Sequence, residues 1–295
     1  MTTTPVDSII TAIAWGGVPA AGIMLGTLLG IFAPLTHGTI ARSMSVGAGL
    51  LLAAATVELA AEVFKVTPYM GVLALLIGAA TFSAGNAWLS SRGAQHRKRC
   101  GECVAQPSEA EMPNSGLAIA MGTAMDAVPE ALVLGLVLYS HGPEAALIVA
   151  ITLGNLPEAM SASAGMRAAN RSVGWILWLW GLIAAATALL TGAGFAMAGT
   201  LTENTALLLQ AFGAGALLAM VSETLLPEAA HEGPAYSGLV TALGFAALTS
   251  CVSVMETLVA NCMEIFHKSR KEMCAAVGIY SLVTAVLICL GYNVL

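Results

Sequence analysis

Apolar runs long enough to cross a lipid bilayer recur along the whole sequence, and they limit its fold more than any other feature. A membrane-spanning α-helix needs about 20 predominantly apolar residues. Only 9% of the residues are charged, whereas a soluble globular domain carries roughly 25%. Because backbone groups in lipid must be satisfied within the protein, so many runs indicate a helix bundle rather than a barrel. The predicted segments cover residues 10–35, 45–64, 70–90, 115–139, 144–166, 173–198, 205–230, 237–262 and 273–294.

These segments predict an all-α fold, a single polytopic membrane domain of residues 1–295. We expect eight transmembrane helices, with 273–294 as a candidate ninth. Lys and Arg are most frequent in the loops after the first, third and fifth segments, and such an excess is typical of cytoplasmic loops. The protein is therefore expected to be a multi-pass protein of the cell (inner) membrane with its N-terminus outside. The basic sequence HKSRK before the last segment contradicts this alternation and leaves the helix count open by one.

The longest polar loop, residues 91–114, is predicted to lie on the cytoplasmic side between helices three and four. It contains His96 and a Cys-x-x-Cys pair, Cys100 and Cys103. A structural zinc site has four ligands, of which such a pair supplies half. A solvated loop is therefore favoured over a metal site, and the role of these three residues stays open.

Two further groups of polar or aromatic residues are interpreted without assigning them a role in chemistry. Trp175, Trp178 and Trp180 stand at the start of the sixth segment, where amphipathic rings anchor a helix at the membrane interface. His141 falls in a short loop on the outer side and is predicted to be exposed.

The fourth and fifth segments each carry a Pro-Glu-Ala sequence near the middle. Asp126 precedes Glu130 by four residues, and Asn155 precedes Glu158 by three, so each pair shares one helix face. Each proline also leaves a backbone carbonyl of the preceding turn without its helical donor. A protonated, purely structural carboxyl is the alternative, but acids inside membrane helices mark functional sites by default. We predict a cation site of these four residues, whose oxygen ligands suit hard or borderline divalent ions.

The second and seventh segments resemble each other at a constant offset. The second contains GAGLLLA from residue 47, and the seventh contains GAGALLA from residue 213. Each ends in an acid at the matching position and carries another acid that is displaced by one. Because the two segments are predicted to cross in opposite directions, this indicates an inverted repeat, as in many alternating-access transporters. The four acids are interpreted as stations of a cation path, Glu58 and Glu62 near the outer face and Glu223 and Glu228 near the inner face.

The motifs resemble those of the ZIP (Zrt/Irt-like) family of divalent-metal transporters. Its members carry His-Asn-x-Pro-Glu-Gly on the fourth helix and x-Asn-x-Pro-Glu-Gly on the fifth. Here residues 126–131 read Asp-Ala-Val-Pro-Glu-Ala, and residues 154–159 read Gly-Asn-Leu-Pro-Glu-Ala. The resemblance implies uptake of zinc, iron or manganese into the cytoplasm, with Glu130, Asn155 and Glu158 as ligands of the transported ion.

The sequence departs from the ZIP pattern at three places. Asp126 stands in place of the family's histidine, and Gly154 stands where many members have His or Gln. Some members also carry Glu-Pro on the sixth helix, whereas residues 176–190 contain no acid.

The sequence as a whole therefore indicates a divalent metal cation transporter in the lipid bilayer, with the metal ion as substrate and no nucleic-acid partner. Whether it is a monomer or a homodimer stays open. One alternative is a proton-coupled carrier of another small solute, in which the same carboxylates would relay protons. A less favoured alternative is an intramembrane enzyme. We expect no enzyme, because none of the 5 histidines falls in the middle of a predicted helix and no second Asp could partner Asp126.

Overall fold

The structure, a computed structural model, describes residues 8–91, 115–232, 236–266 and 273. The described residues form helices and short connections and contain no strand, which confirms the all-α prediction. The chain divides into two compact units, Met1–Leu248 and Thr249–Leu295. In the second unit, the described residues continue the last helix as far as Phe266. The predicted loop from residue 92 onward and nearly all of the candidate ninth helix lie outside the described residues.

The described helices are numbered α1 to α8 in chain order, and α2 and α7 each contain a π-helical segment. Their bounds are α1 Ile9–Phe32; α2 His37–Ala53, continued by the π-helix Ala54–Ala60 and by Ala61–Val66; α3 Pro68–Leu89; α4 Ser115–Ser140; α5 Ala145–Ala168; α6 Val173–Ala198; α7 Glu203–Met220, continued by the π-helix Val221–Leu225 and by Leu226–Glu232; and α8 Ser237–Phe266.

Seven helical stretches are long and apolar enough to cross a membrane, which makes the chain a multi-pass membrane protein by length and composition. In α8, the apolar stretch found by the same measure is shorter, Ser237–Ser250. The predicted number of eight or nine spans therefore stays a prediction. The seven stretches are Ile9–Phe32, Gly38–Val66, Pro68–Leu89, Met121–Ser140, Ala145–Ala168, Val173–Ala198 and Glu203–Ala230.

Local sequence signals fix where several helices begin and end. Helices α1, α2, α6 and α7 start after a Ser or Thr whose side-chain oxygen accepts a hydrogen bond from the backbone N–H three residues later. Helix α1 ends at Phe32, before the predicted boundary at 35. Ala33 is extended because it precedes Pro34, and the residue before a proline disfavours the helical conformation.

Glycines allow α1 to approach α5 closely. A side chain at Gly26 would collide with the backbone oxygen of Leu156, and one at Gly30 would collide with Ser163 and Met160. Small residues four apart are a common means of close helix packing in membranes. This contact holds the middle of α5 against α1 and so fixes the position of the residues around its Pro-Glu-Ala motif.

Two other helix crossings use glycine reciprocally. Where α3 meets α7, Gly78 contacts the backbone of Phe212 and Gly215 contacts the backbone of Leu75. The crossing of α2 with α8 is built in the same way, from Gly244 on Val46 and Gly49 on Thr241. Every residue of one crossing lies 166 positions from its counterpart in the other, as Gly49 does from Gly215. The two crossings therefore occupy corresponding sequence positions and make corresponding contacts, although the residues that the glycines meet differ.

The π-helical segments of α2 and α7 were not predicted from the sequence. Each follows the shared glycine-rich pattern, directly in α2 and after Met220 in α7. Each contains one of the predicted path acids, Glu58 in Ala54–Ala60 and Glu223 in Val221–Leu225. Single π-helical turns inside α-helices are rare and frequent at functional sites.

Candidate cation site

A small cavity lies between helices α1, α4, α5 and α6. Its volume is about 10 Å³, close to the space that one water molecule needs. The lining combines four polar side chains with an indole and three aliphatic side chains. The residues are Ile23 of α1, Thr123, Asp126 and Ala127 of α4, Asn155 and Glu158 of α5, and Trp180 and Ile183 of α6.

The polar residues of this cavity are almost fully removed from the surface. The exposed fraction is 2% for Asp126, 4% for Glu158 and 5% for Asn155. Burying one carboxylate is costly unless a cation or hydrogen-bond donors compensate it, and here two carboxylates share one cavity. The two formal negative charges together match the charge of one divalent cation.

An apolar cluster surrounds the cavity on the side of α1 and α6. Ile23 and Ile183, which line the cavity, belong to a continuous buried group with Met166, Leu179 and Trp180. This packing separates the carboxylates from the surface on that side, and in such surroundings electrostatic interactions are stronger than in water.

The structure brings together three of the four residues predicted as ligands. Asp126, Asn155 and Glu158 line the same cavity, whereas Glu130 does not. Glu130 is 0% exposed and lies one helical turn beyond Asp126 in α4. The two Pro-Glu-Ala glutamates thus occupy different surroundings.

Two residues of the cavity were not predicted to belong to it. Thr123 lies three residues before Asp126 on the same helix face, so its spacing from Asp126 could have predicted that it lines the cavity. Trp180 was interpreted as an interfacial anchor, and this was wrong. It is 1% exposed and lines the cavity, while Trp178 is exposed on the outside of α6. Neither Trp180 Nε1 nor Asn155 Nδ2 has a hydrogen-bond partner in the described part of the chain.

The acids predicted as path stations have different surroundings. Glu223 accepts hydrogen bonds from Ser83 Oγ and, at 2.9 Å, from Asn86 Nδ2, both on α3. Glu228 is buried with 8% exposure, and Glu58 is partly buried in its π-helical segment.

Glu62, the remaining path acid, contacts a histidine across two helix ends. Its Oε1 lies 3.0 Å from Nε2 of His141, the residue that follows α4. His141 was predicted to be merely exposed. Its side chain is 34% exposed, but it has this specific partner.

The cavity offers oxygen ligands to an ion. Two carboxylates, the Asn155 amide and the Thr123 hydroxyl could hold a small hard or borderline cation. Within the described ranges, no group of three or more His, Cys, Asp and Glu side chains is arranged to hold a metal. The pair Cys100 and Cys103 and the neighbouring His96 lie outside those ranges.

No protein-family model matches this sequence, and no curated protein sequence matches it either. The motif resemblance to ZIP transporters therefore rests on the quoted residues of α4 and α5 alone.

Proposed function

We propose that this protein transports divalent metal cations, taking up zinc, iron or manganese into the cytoplasm. The observation that carries the proposal is the cavity in which Asp126 and Glu158, both almost fully buried, meet Asn155. A divalent cation would balance the formal charges of both carboxylates. Charged side chains inside membrane helices are functional by default, and two at one cavity strengthen that inference.

The ligand set narrows the class of ion. Carboxylate and carbonyl oxygens suit manganese, magnesium and calcium, while imidazole suits zinc and iron better. The small cavity holds an ion stripped of most of its water. Among zinc, iron and manganese, the oxygen ligands of this cavity favour manganese.

Alternation between two access states would follow from an inverted repeat. The equivalent crossings of α3 with α7 and of α2 with α8 support this architecture, as do the π-helical segments at corresponding places in α2 and α7. Inverted repeats place the substrate site between the two halves and let one half move against the other. The Pro-Glu-Ala motifs, which resemble those of ZIP transporters, lie on α4 and α5 between the repeated helices.

Uptake into proteoliposomes tests the proposal. The purified full-length protein would be reconstituted with a metal-sensitive dye inside the vesicles, and manganese or zinc would be added outside. We expect Asp126→Asn and Glu158→Gln each to abolish uptake, because each removes one charge with little change in shape. Glu203→Gln is the matched control, because Glu203 is an exposed acid at the start of α7. Uptake by both cavity variants at the parent's rate would refute the site.

The same vesicles distinguish the alternative of a proton-coupled carrier. If the carboxylates relay protons for another solute, an imposed pH gradient would drive proton flux without added metal. Loss of that flux in Asp126→Asn, together with no metal uptake by the parent, would replace the metal proposal with the alternative.

A further inference from the structure

A pair of side chains of the types that bind metals lies away from the cavity. His141 Nε2 and Glu62 Oε1 are 3.0 Å apart, and the two side chains are 34% and 42% exposed. Glu62 belongs to the last turns of α2 and His141 directly follows α4, so the pair joins the ends of two helices. Imidazole and carboxylate are both ordinary zinc ligands.

The spacing of the pair fits one metal ion. Two ligand atoms at about 2.0–2.2 Å from a tetrahedral zinc ion are themselves roughly 3.3 Å apart. The observed separation is shorter by a few tenths of an ångström, which small side-chain rotations would supply. The exposed fractions leave room for water molecules as the remaining ligands, as in zinc sites that keep open positions. The ring would bind through Nε2 in its neutral form, with its proton on Nδ1.

We propose that Glu62 and His141 form a capture site for zinc-like divalent ions at this end of the bundle. The binding itself stands on the geometry of the pair, while a role in uptake rests on the proposed function. The site adds the imidazole that the cavity lacks, so zinc is preferred here over manganese and magnesium. A bound ion also ties the end of α2, with Glu58 one turn earlier, to the helix that carries Asp126.

Zinc titration of the full-length protein in detergent tests the binding. Asp126→Asn and Glu158→Gln would be combined to remove the cavity site, and Cys100→Ser and Cys103→Ser would remove thiol ligands. In this background we expect zinc to bind with one ion per chain, and manganese to compete poorly. Adding His141→Gln is expected to weaken zinc binding at least tenfold, although glutamine can still donate a hydrogen bond to Glu62. Adding Glu203→Gln instead is expected to change it less than twofold.

Unchanged zinc affinity on adding His141→Gln would overturn the inference. The uptake assay then tests the capture site separately from the proposed transport function. With an otherwise unaltered chain, His141→Gln is expected to raise the KM for zinc about tenfold and the KM for manganese less than twofold. If the cavity variants transport normally while His141→Gln still loses zinc binding, the proposed function fails and the capture site stands. If the cavity variants lose uptake while His141→Gln changes neither zinc binding nor KM, the capture site fails alone.

Discussion

Helices α4 and α5 carry the same Pro-Glu-Ala sequence, yet they present different residues to the cavity. In α5, Asn155 and Glu158 on either side of the proline line it. In α4, the acid that lines the cavity is Asp126, three positions before the proline, whereas Glu130 is buried but does not line it. The two helices are joined by a connection of only four residues, so they run in opposite directions.

This difference shows that two copies of a sequence motif need not occupy equivalent positions around a cavity. When the prolines of two antiparallel helices lie at the same depth, residues after one proline lie level with residues before the other. A single cavity can therefore take the acid after Pro157 and the acid before Pro129.

The largest expected effect separates the two Pro-Glu-Ala glutamates. Glu158→Gln removes a charge from the cavity, and removing one partner of a buried charge pair costs about 3–5 kcal/mol. Since each 1.4 kcal/mol is a factor of about ten, we expect manganese affinity to fall at least 100-fold. Glu130→Gln makes the same change in the other Pro-Glu-Ala motif, and it is expected to weaken manganese binding less than tenfold. Titration of manganese into both purified variants measures the difference.

Equal losses of manganese affinity in Glu158→Gln and Glu130→Gln would show that the two glutamates contribute alike. That result would place Glu130 on the bound ion through a rearrangement of α4 when the ion enters. A loss confined to Glu130→Gln would reverse the assignment and remove Glu158 from the site.

The second prediction compares the two equivalent glycine crossings outside α4 and α5. A methyl group at Gly78 or at Gly244 would meet a backbone segment of the opposite helix. Overpacking of this kind costs about 1–3 kcal/mol, so both Gly78→Ala and Gly244→Ala are expected to lower the unfolding temperature by similar amounts. At Gly17 the same change meets no neighbouring atom within 4 Å, and Gly17→Ala is the matched control. Destabilisation at only one crossing would argue against equivalent halves.

The sequence predicted the helical class and seven of the spans because hydrophobic length is local information. It also singled out Asp126, Asn155 and Glu158, since an acid in an apolar run is conspicuous. The sequence did not indicate that Glu130 would lie outside the cavity lining. Which residues line the cavity depends on how far α4 and α5 are displaced along each other. The burial of Trp180 depends likewise on helix rotation, and a tryptophan near a helix start fits an interface equally well.

The π-helical segments show another limit of the sequence. Residues 54–60 and 221–225 have ordinary helical composition, and nothing in their apolar pattern marks an i→i+5 turn. The repeat itself was detectable from GAGLLLA and GAGALLA, but its extension to Gly78 and Gly244 emerges only from the contacts. Gly78 and Gly244 are isolated glycines in apolar helices, and the sequence around them is too dissimilar to align α3 with α8.

A third prediction changes the kind of ligand that α4 contributes. Asp126→His replaces a carboxylate oxygen by an imidazole nitrogen, which suits zinc better than manganese. We expect the preference for zinc over manganese to rise about tenfold, measured as the ratio of uptake KM values. Asp126→Asn, which loses the charge but keeps an oxygen, is expected to abolish uptake of both ions alike. An unchanged ratio in Asp126→His would show that the ligands on α5 alone decide the selectivity.

The smallest effect is expected where α6 closes the cavity. Trp180→Phe removes an indole N–H that has no hydrogen-bond partner among the described residues, and an unsatisfied buried donor costs about 1–3 kcal/mol. The smaller ring also loses packing, since large-to-small core substitutions carry a cavity cost. These two terms oppose each other, so we expect the free energy of unfolding to change by less than about 1 kcal/mol, measured by thermal unfolding in detergent. Trp180→Ala also removes the N–H but loses the whole ring, and it is expected to cost about 3–5 kcal/mol. A loss in Trp180→Phe as large as that in Trp180→Ala would mean that the N–H is bonded within the cavity and helps to hold Asp126 and Glu158 in place.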